Sequence, residues 1–346
     1  MDYSKYIDKA TKRQAEIIKV IEESGSKAKA AFVLGISEST INRTLRTLVS
    51  GSKPPIKKGG RMHIMLPDMQ VTPETPTDHL TWIGKYVQEM KPDVFVNIGD
   101  FADMESLSSF DVGKKKAEGK RVIKDIDYTV AAMEKLMKPI KCNPELHLTL
   151  GNHEYRINRA IESDAKLDGF LTTDSLQYKS FGWKVYPFLK PVEIDGISYC
   201  HYFYNPSTGR PYGGKSIITR INNIGFSFSM GHQQGYQSGI KELNNGRILR
   251  GLIAGSGYLH DEDYIGYQGN GHWRGIIVKH EVFDGNYDLM EVSLDYLCRK
   301  YEGMPVAEFM KAKYPKIYEN SVWLQRLSAR YKLQPSTISS KHSSQL

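Results

Sequence analysis

Five short stretches of the sequence end an apolar run with side chains that can bind a metal ion or move a proton. They read Asp68-Met69-Gln70, Gly99-Asp100-x-x-Asp103, Gly151-Asn152-His153-Glu154, His201 and Gly231-His232-x-Gln234. Carboxylate, amide and imidazole groups are common donors to divalent metal ions, and imidazole also carries a proton near neutral pH. A turn after a strand needs a glycine and sometimes an asparagine, but it does not need a histidine beside a carboxylate. These residues therefore predict a site that does chemistry.

The apolar runs before these side chains predict short β-strands, and helical patterns lie between some of them. The strand patterns are HIMLPD, DVFVNIGD, LHLTLGN, ISYCHYF and FSFSMGH, and the helical ones are TDHLTWIGKYVQEM and DIDYTVAAMEKLMKPI. Alternating strands and helices predict an α/β fold whose ligands gather beyond the strand ends. Later strands look antiparallel, with Asp284-Gly285 as a hairpin turn, and two helical patterns interrupted by Pro315 follow Tyr296.

The order and neighbours of the five stretches resemble the calcineurin-like metallophosphoesterase superfamily over roughly residues 62–292. The signature of that superfamily runs D-x-H, G-D-x-x-D, G-N-H-[DE], a lone H and G-H-x-H. The resemblance implies a β-sandwich flanked by helices and two divalent metal ions that act on a phosphoester. It also suggests an architecture similar to that of phosphoesterases encoded by phages and mobile elements.

The resemblance assigns a role to each motif residue. It implies one metal ion held by Asp100, Asn152, His201 and His232, and another held by Asp68, Gln70, Asp100 and Gln234. His153 would protonate the leaving oxygen and would be oriented by Asp103. Arg156 is a candidate clamp for a substrate phosphate, with a surface salt bridge as the alternative.

Gln70 and Gln234 stand where the superfamily has histidines, and both fall on the same metal ion. An amide oxygen is a harder and weaker donor than imidazole, so this oxygen-only site suits Mn²⁺ or Mg²⁺ better than Zn²⁺. We therefore expect two divalent ions, with Mn²⁺ or Mg²⁺ favoured and Zn²⁺ or Fe²⁺ possible at the histidine-containing site. The glutamine-containing site should bind its ion more weakly.

The net charge of +8 is distributed unevenly along the 346 residues. Residues 1–61 hold 13 Lys/Arg and 6 Asp/Glu, residues 62–298 hold 25 and 30, and residues 299–346 hold 9 and 3. Basic ends therefore flank an acidic middle, and the ends are the parts that would attract a polyanion. The lysine-rich run Gly113–Arg121 is either a solvated loop or a phosphate-backbone contact.

The stretch KAKAAFVLGISESTINRTLRTL resembles the helix-turn-helix of transcriptional regulators and recombinases. Gly35 ends one helical pattern, and Ser37 begins the next as a cap. The resemblance implies DNA binding, with the second helix in the major groove. Its exposed polar positions are Ser39, Thr40, Asn42, Arg43 and Arg46. A small helical bundle used for dimerisation is the alternative.

These patterns divide the chain into five segments. They are a helix-turn-helix domain (1–50), a linker (51–61), a phosphoesterase domain (62–296), a helical extension (297–333) and a disordered tail (334–346). No apolar run is long enough for a membrane span, and the polar N-terminus does not match a secretory signal. Three widely spaced cysteines are typical of reduced thiols, so we expect a cytoplasmic protein of a bacterium or phage-infected cell.

Three functions are consistent with these features. The first is a nuclease, in which the helix-turn-helix brings the metal site to DNA. The second is a phosphatase or phosphodiesterase that acts on phosphoproteins or small nucleotides. The third is a DNA-binding regulatory protein with a weakened phosphoesterase site. The nuclease hypothesis accounts for the charge distribution, the helix-turn-helix pattern and the phosphoesterase motifs together. The sequence predicts no oligomeric state.

Overall fold

The computed structural model describes residues 7, 10, 12–49, 59–214 and 216–332. By its internal contacts the chain divides into two compact units, Met1–Gly59 and Gly60–Leu346. The predicted linker residues 51–58 and the predicted tail 334–346 lie outside the described residues. Among the helices that the structure describes, none has the length and apolar character needed to cross a membrane.

The first unit consists of α1 (Lys12–Ser24), α2 (Lys27–Leu34) and α3 (Glu38–Val49) in its described part. Gly35 adopts a φ of 63° and ends α2, a left-handed conformation that glycine reaches without strain. The Ser37 hydroxyl accepts a hydrogen bond of 3.1 Å from the Thr40 N–H and so caps α3. The three helices share a core of small and branched side chains, namely Ile17, Ile18, Ala30, Ala31, Ile41 and Leu45.

The described part of the second unit contains thirteen short strands. They are β1 (Arg61–Leu66), β2 (Val94–Asn97), β3 (Glu145–Thr149), β4 (Lys184–Tyr186), β5 (Val192–Ile194), β6 (Ile197–Tyr199), β7 (Tyr204–Asn205), β8 (Arg210–Pro211), β9 (Phe228–Met230), β10 (Gln237–Glu242), β11 (Ile248–Ile253), β12 (Gly275–Phe283) and β13 (Asn286–Ser293). The gap between β12 and β13 is Asp284-Gly285, which confirms the predicted hairpin turn.

The strands form two main sheets. One has the order β13-β12-β1-β2-β3-β4, and the other has the order β10-β11-β9-β6-β5. In the first sheet β1, β2, β3 and β4 are parallel neighbours, whereas β12 and β13 pair antiparallel at one side. In the second sheet β6 and β9 are parallel. Apolar side chains from both sheets, including Val96 and Ile277 of the first and Tyr199 and Leu252 of the second, meet in one buried cluster, as in a β-sandwich.

Nine helices belong to the described part of the second unit. They are α4 (Asp78–Met90), α5 (Val122–Met137), α6 (Arg156–Ser163), α7 (Ile217–Ile224), α8 (Gly266–Gly269), α9 (Leu294–Glu302), α10 (Val306–Lys313), α11 (Pro315–Asn320) and α12 (Val322–Lys332). Side chains of α4, α5, α9, α10 and α12 pack with the first sheet in the largest apolar core. The mixed α/β fold predicted from the sequence is therefore confirmed.

The C-terminal region contains four helices where the sequence predicted two. Pro315 does begin a new helix, but α9 also ends at Gly303, whose φ is 75°, and α10 begins after Pro305. These two residues are ordinary helix-ending and helix-starting signals that the apolar pattern obscured. Leu297 and Met310 of these helices are fully buried in the same core as α4, while the domain boundary at residue 296 stays a prediction.

Because β1, β2 and β3 are parallel, the loops that follow them emerge at one edge of the sheet. The same holds for β6 and β9 in the facing sheet. All five predicted motifs follow these five strands. The fold therefore provides the geometric condition for bringing them together.

Candidate metal centre

Hydrogen bonds join the loops after β1 and β2. The backbone N–H of Gln70 donates to the Asp100 carbonyl at 2.8 Å, and the N–H of Asp103 donates to the Val71 carbonyl at 3.0 Å. Gln70 and Asp100 both have positive φ, at 42° and 50°, a conformation that side-chain-bearing residues rarely adopt. These tight turns direct Asp68 and Asp100 into the interior, where both side chains are almost fully buried.

Glycines allow the other loops to approach these two carboxylates closely. A Cβ atom at Gly151 would lie 2.0 Å from Asp100 Oδ1, and one at Gly231 would lie 2.3 Å from Asp68 Oδ1. Any larger residue would displace a carboxylate, since real Cβ atoms do not approach oxygen this closely. The glycines at positions 151 and 231 are thus explained by their contact with an acidic side chain of another motif.

Asp100, Asn152, His201 and His232 form the first cluster. His201 Nε2 lies 3.1 Å from Asp100 Oδ2 and 3.0 Å from Asn152 Oδ1. His232 Nδ1 lies 2.7 Å from the same Asn152 oxygen. The ligand atoms of Asp100, His201 and His232 all lie within 4.8 Å of one another, which suits a single metal ion. His201 Nδ1 is 2.9 Å from the Ile98 carbonyl, so Nδ1 carries the proton and Nε2 faces the cluster.

Asp68, Gln70 and Gln234 form the second cluster, which adjoins the first. Asp68 accepts hydrogen bonds from the backbone N–H of His232 at 3.1 Å and from Gln234 Nε2 at 3.3 Å. The Oε1 atoms of Gln70 and Gln234 are buried, and neither has a hydrogen-bond partner. Buried polar atoms in proteins are normally satisfied, so two unpaired amide oxygens beside a buried carboxylate are consistent with a bound cation.

Tyr264 joins the two glutamines, a contact that no sequence pattern predicted. Its hydroxyl lies 2.9 Å from Gln70 Nε2 and 3.3 Å from Gln234 Nε2. The hydroxyl accepts hydrogen bonds from both amide nitrogens, so each amide oxygen points away from the hydroxyl. Tyr264 belongs to the segment between β11 and β12.

His153, Asp103 and Arg156 form a chain at the rim of the first cluster. His153 Nδ1 is hydrogen-bonded to Asp103 Oδ1, and His153 Nε2 lies 3.7 Å from Asp100 Oδ2. Arg156 Nη1 donates to the Asp103 carbonyl at 2.8 Å and lies 3.4 Å from Asp103 Oδ1. Arg156 is thus engaged with Asp103, in a partly buried ion pair rather than a surface one.

The family model described as calcineurin-like phosphoesterase matches residues 66–248, more than half of the chain. The chain belongs to the calcineurin-like phosphoesterase family. The matched span contains both clusters, and membership in this family implies hydrolysis of phosphoesters with divalent metal ions. A comparison with curated proteins finds no match.

Electrostatics in this phosphoesterase site favour positive charge around Asp100. Burial alone would lower the pKa of His153, but the carboxylates of Asp100 and Asp103 outweigh it and raise the pKa to about 9. Burial also opposes the charge on His201, while Asp100 and then Asp68 raise its pKa to about 9. Burial raises the pKa of Asp68 to about 7, with the charge of Asp100 adding to the shift and that of His201 opposing it. Carboxylates that stabilise added protons this strongly would also stabilise a metal cation.

The phosphoesterase site also depends on Glu154, whose role the sequence motifs did not predict. Its carboxylate is fully buried and accepts backbone hydrogen bonds of 2.8–3.1 Å from a set of four residues and one of 3.2 Å from the Tyr178 hydroxyl. The four backbone donors are Asp100, Phe101, Ala102 and Gly151. The position of Glu154 directly after His153 could have indicated this role. A carboxylate that is buried in such a turn must accept hydrogen bonds from buried donors.

The predicted DNA-contacting residues lie in the first unit. Ser39 is exposed and its hydroxyl lies 2.7 Å from that of Ser37, Thr40 is half-buried, and Asn42 accepts a hydrogen bond from Lys27 at 2.7 Å. Arg43 and Arg46 lie on α3, but their side chains lie outside the described residues.

The lysine-rich run 113–121 is partly neutralised by acidic neighbours in the second unit. Lys116 lies 3.6 Å from Glu105 and 3.4 Å from Asp263, and Lys120 contacts Glu105. This pairing reduces the charge that the run can offer to an external phosphate. The interpretation of the run as a loop with its own counter-charges is therefore favoured.

Proposed function

We propose that this phosphoesterase is a divalent-metal-dependent phosphodiesterase that cleaves DNA. The observation that carries the phosphodiesterase part is the cluster of Asp100, His201 and His232, which adjoins Asp68, Gln70 and Gln234 and has His153 at its rim. The DNA part is supported by the three-helix first unit and by the excess of basic residues over residues 1–61. Neither cluster by itself distinguishes a nuclease from another phosphoesterase.

The proposed metal ligands are those predicted from the sequence. The first ion takes Asp100, Asn152, His201 and His232, and the second takes Asp68, Gln70, Asp100 and Gln234. The buried, unpaired amide oxygens of the two glutamines support the second set. When bound, such ions neutralise phosphate charge and lower the pKa of a water molecule. The oxygen-only second set favours Mn²⁺ or Mg²⁺.

His153 is the proposed proton donor to the leaving oxygen. Its Nδ1 is held by Asp103, so Nε2 is the nitrogen that faces Asp100 and the space beside it. Arg156 positions Asp103 through two contacts from one guanidinium nitrogen. We assign the donation of the proton to Nε2 of His153, and we assign Asp103 and Arg156 to holding that ring in place.

The first unit is proposed to supply DNA affinity. We propose α3 as the recognition helix, with Ser39, Thr40, Asn42, Arg43 and Arg46 as the residues that contact DNA. The basic surplus of residues 1–61 would supply the phosphate contacts, which account for most non-specific affinity. A DNA-binding regulatory protein with weak turnover is the second candidate, because the two amides weaken one metal site.

The test is a cleavage assay with the full-length protein. Plasmid, linear and single-stranded DNA, a phosphoprotein and a chromogenic phosphodiester would each be incubated with Mg²⁺, Mn²⁺ or Zn²⁺. We expect DNA cleavage with Mn²⁺ or Mg²⁺ that is abolished in Asp100→Asn. Hydrolysis of the chromogenic ester without DNA cleavage would favour a small-molecule phosphodiesterase. DNA binding with no hydrolysis of any ester would favour the regulatory protein.

A further inference from the structure

A cavity of about 380 Å³ opens beside the first cluster. His232 forms part of its wall, so the cavity is continuous with the proposed catalytic site. Ligand-binding cavities have volumes of roughly 300–1,000 Å³, which makes this one large enough for a small organic group. The residues of its wall that matter for recognition are Tyr202, Phe203, Tyr212, Gly213 and Arg220.

Arg220 is the charged residue of this cavity wall. It lies on α7 and is only 3% exposed, yet in the described part of the chain no salt bridge joins it to a carboxylate. Its Nη1 and Nη2 donate to the carbonyls of Tyr212 and Gly214 at 3.2 Å and 3.1 Å. Its Nε has no hydrogen-bond partner. A buried cation with a free donor and no counter-charge is costly unless an anion completes it.

Aromatic residues also line the same cavity. The Tyr202 ring lies with its centroid 4.5 Å from that of His232 at an angle of 35°, and Tyr202 and Phe203 are each 7% exposed. Tyr212 is half-exposed, and no atom lies within 4 Å of a Cβ built on Gly213. Flat aromatic walls, an open glycine loop and an arginine together suit a planar base attached to an anionic phosphate.

We propose that this cavity binds a phosphate-bearing nucleotide, with Arg220 contacting its phosphate and the tyrosine rings contacting its base. This inference deepens the proposed function and rests on it, since His232 belongs to both sites. The occupant is either the nucleotide next to the cleaved bond or a free mononucleotide product. Both sources offer the same chemistry, a phosphate beside a base.

The direct test measures binding and requires no turnover. Full-length protein treated with a chelator would be titrated calorimetrically with adenosine monophosphate, adenosine, inorganic phosphate and phosphoserine. We expect the monophosphate to bind more tightly than the other three. Arg220→Gln should weaken its binding roughly 10- to 100-fold, the usual value of a hydrogen-bonded charge. Arg247→Gln, an exposed arginine between β10 and β11, is the matched control and should bind as the unmodified protein does.

A second variant covers the case in which Arg220→Gln fails to fold. Gly213→Val adds bulk to the cavity wall at a residue whose Cβ would meet nothing, and it leaves Arg220 in place. It should weaken monophosphate binding while the melting temperature stays unchanged. Unchanged affinity in both variants, or phosphoserine binding equal to the monophosphate, would overturn the inference.

Kinetic comparison identifies the source of the nucleotide. If Arg220→Gln raises KM more for an oligonucleotide than for a nitrophenyl phosphodiester, the cavity holds the strand next to the cleaved bond. If it relieves inhibition by the monophosphate and leaves the two KM values in their original ratio, the cavity holds the product. Should the unmodified protein cleave no ester, the proposed function fails, while the calorimetric result still decides the nucleotide site.

Discussion

Glu154 holds Asp100 in the left-handed conformation that the site requires. Glu154 Oε2 accepts a hydrogen bond of 2.9 Å from the Asp100 N–H, and the φ of Asp100 is 50°. The same carboxylate also binds the N–H groups of Phe101 and Ala102, so it fixes the whole turn after β2. A strained residue persists only when its surroundings determine it, and here one buried side chain does so.

Replacing Glu154 should therefore loosen the metal site without removing any ligand. Glu154→Gln places an NH₂ group against backbone donors, and we expect a loss of about 1–3 kcal/mol in the free energy of unfolding. Metal affinity should fall as Asp100 loses its fixed direction. Urea unfolding in chelator and calorimetric metal titration would measure the two effects. Glu162→Gln, at an exposed position on α6, is the control, and equal effects in both variants would contradict this role.

His153→Ala should slow cleavage of DNA and leave the metal content unchanged. Loss of a general acid usually costs roughly 10²- to 10⁴-fold in rate. The defect should be smaller for a nitrophenyl ester, because nitrophenolate leaves without a proton. Steady-state rates on both substrates and elemental analysis provide the measurement. Loss of metal, or equal defects on both substrates, would show that His153 has another role.

The two glutamines should make the metal sites unequal. Amide oxygen binds zinc more weakly than imidazole, so we expect the first site to be filled after purification and the second to need added Mn²⁺ or Mg²⁺. Activity should rise with added Mn²⁺, and Gln70→His with Gln234→His should tighten zinc binding. Calorimetry and elemental analysis would count the ions. Two equally tight ions in the unmodified protein would contradict the expectation.

Tyr264 should affect the second metal ion through its contact with the glutamines. Tyr264→Phe removes the hydroxyl that lies 2.9 Å from Gln70 Nε2 and keeps the ring. If this hydroxyl orients the amides, the variant should weaken the second ion and not the first. The neighbouring exposed Tyr267→Phe should change neither.

Removal of the first unit should separate DNA affinity from catalysis. Arg61 begins β1 and lies 3.0 Å from Glu145, so a deletion should end before Gly60 rather than include Arg61. We expect weaker duplex binding and a flatter dependence on salt, since phosphate contacts are lost. Hydrolysis of a small phosphodiester should stay nearly intact. Binding isotherms at several salt concentrations would test this, and unchanged affinity would contradict a DNA-binding role.

The strand-end residues were predictable because sequence order and sheet geometry coincide here. Asp68, Asp100 and Asn152 each follow one of three parallel neighbouring strands, so their meeting at one edge needs no knowledge of long-range packing. The end of α2 at Gly35 and the cap of α3 at Ser37 were likewise predictable, because helix ends depend on local backbone preferences.

The contacts of Tyr264 and Arg220 were not predictable, because they depend on long-range packing and not on local sequence. Tyr264 contacts Gln70 across 194 residues, through a segment with no periodic pattern. The sequence indicates only that Arg220 is a polar residue on an amphipathic helix, whereas in the structure its guanidinium is buried and donates to the carbonyls of Tyr212 and Gly214. Such contacts depend on how loops fold back, and local residue preferences do not encode that.

His79 carries the last prediction, which concerns stability and pH. The side chain lies on α4, is 1% exposed, and neither ring nitrogen has a hydrogen-bond partner. Burial, with added repulsion from His260 and Lys135 that Asp78 only partly offsets, lowers its pKa from 6.5 to about 3. The folded protein therefore keeps His79 neutral at pH values where the unfolded chain protonates it.

The sign of the effect follows from this difference. Above pH 6.5 neither state is protonated and His79 costs nothing, whereas between pH 6.5 and about 3 the unfolded state binds one more proton. The free energy of unfolding should thus fall with decreasing pH, by about 1.4 kcal/mol per pH unit for each such proton. His79→Phe should reduce that slope by about one proton. Urea unfolding at a series of pH values in this window decides the matter, and parallel slopes for His79→Phe and the unmodified protein would mean that His79 is protonated in the folded state.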